Sequence, residues 1–242
     1  MAFLSGRTSL TTVQTGNIAA NAIDSTLTKD ALIADYSEVT VVAGDSILLG
    51  DVGDSGNTKR DTVQGVLDLA IGLQTIWVPA CAMRPTASNG CAELTDVETT
   101  SGQPDMQVLD FDTGSDEHAQ FQIAFPKSWD ESTITFRVFW TSTATDTDGV
   151  AWGLQGVSVA NDATINVVYG TAVVVTDDNI SAAEDCLVTS TSSAVTIASA
   201  AADTLTFFRI FRDVSDANDD MTEDARLLGC QIFFTLDALT DV

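Results

Sequence analysis

His118 is the sole histidine of the 242 residues, so any Ser-His-Asp or Cys-His nucleophile would have to be built on it. It follows Asp116 and Glu117 and opens an alternating segment, the place of an exposed turn or strand-edge residue. No G-x-S-x-G elbow, P-loop or G-x-G-x-x-G precedes a helical pattern. Carboxylates cluster at Asp110, Asp112, Asp116 and Glu117, and again at Asp213, Asp216, Asp219 and Asp220. A glycosidase needs two carboxyls about 5–10 Å apart in a cleft. With 35 acidic residues in the chain, chance clusters are expected, and no catalytic pair is assigned.

Two acidic loops have the composition of a hard-cation site. TDTDG offers Asp146 and Asp148, and DVSDANDD offers Asp216, Asn218 and Asp219. Calcium takes about six to eight oxygens, and neither loop has the EF-hand spacing or its terminal Glu. Asp, Asn and Gly are also the ordinary turn residues for backbone reasons. The expectation is therefore turns, with no metal and no cofactor. Cys81, Cys91, Cys186 and Cys230 include no C-x-x-C pair and have no histidine beside them, so they supply no zinc set. Cys81 and Cys91 could bridge if the loop between them folds back; without an export signal, reduced thiols are expected. Cys230 sits in an apolar segment and reads as a buried small hydrophobe. Arg209, Arg212 and Arg226 are scarce cations in an acidic chain and should meet carboxylates such as Asp213, Glu223 or Asp224.

These residues sit in a chain whose texture changes near residue 75. Before it, Phe3 and Tyr36 are the only aromatics; after it come all four Trp and ten of the eleven Phe. Large aromatic side chains make cores, so residues 75–242 should form the packed domain and residues 1–74 an attachment segment that needs a partner. Residues 1–35 read as an extended arm, with a short helix over residues 24–32. VTVV and SILLGDV read as a hairpin, and VQGVLDLA as a short helix. The second part is a series of short strand signals. In AQFQIAF, Phe121, Ile123 and Phe125 share one face, and in TITFRVFW so do Ile134, Phe136, Val138 and Trp140. Residues 189–202 read as an edge hairpin. TLTFFRIFRDV and LLGCQIFFTLD are apolar on both faces and belong at sheet centres; Phe207, Arg209, Phe211 and Phe233 are the residues expected to meet a neighbouring subunit. About eight principal strands with almost no helical period predict a mainly β fold, an antiparallel β-sandwich of jelly-roll-like type.

The formal net charge is -25, a surface that phosphates and anionic membranes would repel, so neither nucleic acid nor membrane is an expected partner. No stretch approaches the roughly 20 apolar residues of a membrane span. MAFLSGRTSL has no long apolar core of a secretion signal, so synthesis in the cytoplasm is expected.

NIAANAIDSTLTKDAL followed by SILLGDVGDSGNTKRDTVQGVLDLA resembles the attachment end of tail-fibre and head-fibre proteins of tailed bacteriophages. IWVPACAMRPTASNGCAELTDVETTSGQPDMQVLDFD, the AQFQIAF to LQGVSV stretch and FFRIFRDVSDANDDMTEDARLLGCQIFF are similar to a module of tailed-phage virion proteins. The resemblance covers most of the chain. It implies a non-enzymatic virion component: a homo-oligomeric fibre, spike or capsid-decoration subunit, most often a trimer, held on capsid or tail proteins through residues 1–74. It carries over no catalytic residue. Two other readings stand beside it. A receptor-binding module for host-surface glycan would need exposed aromatics in a groove, for which Trp129 and Trp152 are the visible candidates although a core position suits each. A polysaccharide-cleaving tailspike is the third.

Overall fold

The structure, a computed structural model, describes residues 39–69 and 71–241. The arm over residues 1–35, with its helix over residues 24–32, lies outside the described residues. The chain divides into two compact units, Met1–Val63 and Gln64–Val242.

In the first unit, β1 (Ser46–Asp51) pairs antiparallel with β2 (Asn57–Thr62). This corrects the hairpin read from the sequence. Residues 39–42 are not a strand, and SILLGD pairs forward with NTKRDT instead. Local turn chemistry explains the choice. The Asp51 carboxylate accepts the Gly53 N–H at 2.8 Å, Ser55 and Gly56 take φ of 53° and 81°, and the Gly56 N–H closes on the Asp51 carbonyl at 2.7 Å. Val42 and Asp45 are instead tied to each other in a tight turn, by Val42 N–H to the Asp45 carboxylate at 2.9 Å and Asp45 N–H to the Val42 carbonyl at 3.0 Å. The helix α1 (Val63–Asp68) follows where VQGVLD predicts it. None of residues 39–63 is buried, and a lone two-stranded hairpin is marginal in water.

The second unit is the antiparallel β-sandwich, jelly-roll-like in its crossings. One sheet runs β10 (Val173–Asp178), β9 (Gly149–Val159), β12 (Leu205–Arg212), β7 (Glu117–Ile123), β4 (Arg84–Pro85). The other runs β11 (Leu187–Val188), β8 (Thr135–Thr141), β13 (Ala225–Thr235), β6 (Asp105–Phe111), β5 (Thr95–Glu98), and β3 (Leu73–Pro79) joins the far half of β13. Apart from β5–β6 and β9–β10, each successive strand lies in the opposite sheet. β12 and β13 are central, as their two-sided apolar character predicts.

Alternation decides what faces inward. Phe121 and Ile123 of β7, then Phe136, Val138 and Trp140 of β8, are buried at every second position. Phe208 stacks on Phe121 with ring centroids 5.1 Å apart, and Phe125 stacks on Trp129 at 4.3 Å. Burying one such side chain stabilises by roughly 1.5–3 kcal/mol. Trp129 and Trp152 are 1% and 0% exposed, so both belong to this core and neither is a glycan platform. Residues 189–202 form no edge hairpin. Instead the segment crosses the sandwich, bridging Ile134 through Val195 and Val157 through Ala198, because Val195 and Ile197 bury themselves between the sheets.

Candidate ligand-binding groove

The register of the five-stranded sheet builds a row that no local motif announces. Arg209 of β12 lies opposite Gln155 of β9 on one side and Gln120 of β7 on the other, and Gln120 lies opposite Arg84 of β4. Inward positions of β12 are Thr206, Phe208 and Ile210, so Phe207, Arg209 and Phe211 face outward. The outcome is Gln155–Arg209–Gln120–Arg84, planar polar side chains side by side on four neighbouring strands, spanning about 14 Å at the usual strand spacing. One rung away lie Phe207 and Gln122; one rung the other way lie Phe211 and His118. Phe211 lies over Gly153, where an added Cβ would come within 2.2 Å of its ring.

A loop over residues 160–172 lies along this face. Its hinge to the sheet is Gly170, whose N–H donates to the Gly156 carbonyl at 3.0 Å. A Cβ at Gly170 would stand 2.6 Å from the Thr196 carbonyl, so only glycine lets the backbones approach this closely. That contact sets Tyr169 over Arg209, with the guanidinium carbon 5.3 Å from the ring centroid. Arg209 is held from the side as well. With the Gln155 amide turned so that both its ends find partners, its oxygen accepts the Arg209 Nε–H at 2.6 Å and a second N–H from Nη2, and its N–H donates to the Gly170 carbonyl at 3.3 Å. Two of five guanidinium donors are thereby used and the rest remain available. Burial raises the Tyr169 pKa, and the charges of Arg209 and Arg84 work against that rise.

Three adjoining depressions lie beside the row, and its Gln120 and Arg84 line two of them. The central one, about 220 Å³, is lined by Arg84, Gln120, Tyr169, Phe207, Ile165 and Val167 among others. It shares Phe207 and Ile165 with a depression of about 340 Å³ beside Asn161, Asp162 and Asp203. It shares Arg84 and Gln120 with another of about 290 Å³ beside Met83 and Gln122. Together they make an open groove along the sheet face.

The structure sorts the residues singled out from the sequence. Phe207, Arg209 and Phe211 come together on the groove face, whereas Phe233 lies on the opposite sheet, beneath Arg137 at 5.8 Å. His118 lies at the start of β7, the strand it was read to open, but is half-buried rather than exposed: its Nδ1 is 3.1 Å from the Asn89 carbonyl and its ring 5.4 Å from Phe211. Burial and then nearby Arg209 hold it below the ordinary imidazole range, despite the Asn89 contact. Arg212 is fully buried and meets Asp219 at 2.8 Å, rather than the carboxylates of Asp213, Glu223 or Asp224. Its remaining N–H groups reach the carbonyls of Phe111, Met221 and Glu223. Arg226 meets Asp110 and Glu184 at 3.6 and 3.5 Å.

The two acidic loops lie side by side, Gly149 N–H donating to the Asp220 carboxylate at 2.7 Å. Asp146 caps Asp148 N–H, Asp216 caps Asn218 N–H, and Asp219 is committed to Arg212. Among the described residues no cluster of three or more ligating side chains gathers. The pKa of Asp148 is raised by desolvation and by Asp146, Asp220 and Glu223. Cys81 is exposed and Cys91 buried, its thiol pushed up to about 12 by burial, and Cys230 is buried as expected. Tyr169, Gln155, Gln120 and Arg84 were not singled out by sequence. Only the register brings them together.

No protein-family model and no curated protein matches this chain. Solved structures do. The CBM36-1 domain of a multidomain xylanase from the hindgut metagenome of Trinervitermes trinervoides aligns at 8% identity and TM-score 0.37, over 66% of this chain and 96% of that one. A non-crystalline cellulose specific carbohydrate-binding module, CBM28, aligns at 13% identity and TM-score 0.35, over 64% and 85%. The CBM22-1–GH10 modules of Clostridium thermocellum xylanase 10B, complexed with xylohexaose, align at 13% identity and TM-score 0.40, over 69% of this chain and 29% of that one. These likenesses are of β-sandwich architecture and lend nothing to function.

Proposed function

We propose that this chain is a non-enzymatic carbohydrate-binding component of a tailed-phage particle, recognising a polysaccharide strand of the host surface along the five-stranded sheet. The observation that carries the binding half is the groove itself. A sugar ring has apolar C–H faces and a rim of hydroxyls. Tyr169 and Phe207 supply apolar surface, the Gln120 and Arg84 side chains supply planar donors and acceptors, and Arg209 packs on the Tyr169 ring next to Gln120. Three depressions in line suit a polymer better than a compact ligand. A non-enzymatic role is supported by the position of the sole histidine, which is turned to Asn89 and Phe211 rather than to a nucleophile. The virion half rests on the sequence resemblance. A homo-oligomer, a trimer as in that family, attached through residues 1–74, is supported by the exposed apolar residues Val39, Val41, Leu48 and Val52.

Affinity electrophoresis of the full chain through gels containing purified bacterial surface polysaccharides tests the binding half. Retardation without release of reducing ends is expected; free migration in every gel, or reducing-end release, contradicts it. Immunogold labelling of purified particles with antibody against residues 75–242 tests the other half. Gold on head or tail is expected, and bare particles would sink it.

A further inference from the structure

We infer that the groove is built for an acidic polysaccharide, with the carboxylate of one sugar seated between Arg84 and Arg209; this rests on the carbohydrate reading above. Six arginines lie among the described residues: Arg212 and Arg226 meet carboxylates, whereas Arg60, Arg84, Arg137 and Arg209 have none within ion-pairing distance. Arg84 and Arg209 are the two of those four on the five-stranded sheet. They flank the same Gln120 and act on the same Tyr169. Arg209 is held in place by Gln155 and Tyr169, both uncharged, which fixes the guanidinium without neutralising it. A pre-set guanidinium with free N–H groups is the geometry that grips a carboxylate through paired hydrogen bonds.

The overall charge of -25 does not forbid this. At about 0.15 M salt, charges more than roughly 8 Å apart are largely screened, so the local pair of arginines outweighs the distant carboxylates. The acid must sit centrally. Asp162 and Asp203 line the adjoining depression and favour neutral sugars there. The preferred polymer therefore carries a uronic acid within a repeat of neutral sugars.

The test uses matched polymers with the full chain: hyaluronate, in which a uronic acid alternates with a neutral sugar, beside its carboxyl-reduced form, with neutral glucan and xylan. Carboxyl reduction is expected to weaken binding about tenfold, the loss of one charge-assisted contact. Arg84→Gln, at an exposed position, and Arg209→Gln should each bring the acidic-to-reduced affinity ratio from about tenfold down towards one. Equal binding of acidic and reduced forms, or an unchanged ratio in both variants, overturns this inference and leaves the carbohydrate reading intact. Retention of no polymer at all overturns both.

Discussion

The solvent sides of the two sheets are furnished differently. On the five-stranded sheet the strand β9 is buried along all eleven residues, because the 160–172 loop and the 213–221 segment are bonded to it. What stays open beside that cover is a groove of polar planes and aromatic edges. On the six-stranded sheet Trp77 is 47% exposed, packed edge-on against Phe139 at 5.1 Å, with Arg137 above Phe233 and beside Thr191. That second face is aromatic, and among the described residues no loop aromatic packs on a cation there as Tyr169 does on Arg209. On the proposed reading, exposed aromatic surface is not enough for recognition of an extended ligand, and a wall beside it is needed as well.

The largest way to break the first face is through its buried anchor. Asp219 pairs with fully buried Arg212 and also accepts the Ala151 N–H at 3.0 Å. Asp219→Ala leaves a buried guanidinium uncompensated and should cost about 3–5 kcal/mol, read by chemical denaturation. Gly170→Ala comes next. It drives a methyl into the Thr196 carbonyl, lowers stability by about 1–3 kcal/mol and displaces Tyr169, so polysaccharide retardation should also be lost. Trp77→Ala sharpens the contrast from the other side. It should cost about 1 kcal/mol through lost packing on Phe139 and leave polysaccharide retardation unchanged.

The smallest effect is a pH dependence. Burial raises the Asp177 pKa above its ordinary 3.8, outweighing the hydrogen bond from Trp140 Nε1 at 2.8 Å. A carboxyl with a raised folded pKa favours folding when protonated; that contribution is complete below 3.8 and is lost as pH rises through the folded value. Asp177→Asn keeps an acceptor for Trp140 and removes the titration. Its unfolding midpoint should vary less with pH just above 3.8 than that of the parent chain, as thermal scans across acidic buffers would record.

Much of the sandwich is legible in the sequence, for a local reason. The inward faces of β7 and β8 show as alternate apolar residues, and the centrality of β12 and β13 shows in FFRIF and CQIFF, apolar on both faces. Such signals live within a few residues. The hairpin partner was misread because VTVV has strand propensity while its ends are tied by an Asp45 turn. The segment over residues 189–202 was misread because a pair of buried residues, Val195 and Ile197, looks the same in a hairpin as in a crossing. The groove was not legible at all. Gln155, Arg209, Gln120 and Arg84 come from separate strands, and their adjacency is a property of register between distant segments. Phe207, Arg209 and Phe211 were recognisable as outward-facing; what they face was not.

The most direct test of the account is hydrogen exchange of the full chain with and without a retained polysaccharide. Protection is predicted at residues 81–84, 118–122, 160–170 and 205–211, the walls and floor of the groove. Protection at residues 73–77, 135–139 and 229–233 instead would place the ligand on the aromatic face of the six-stranded sheet and contradict it.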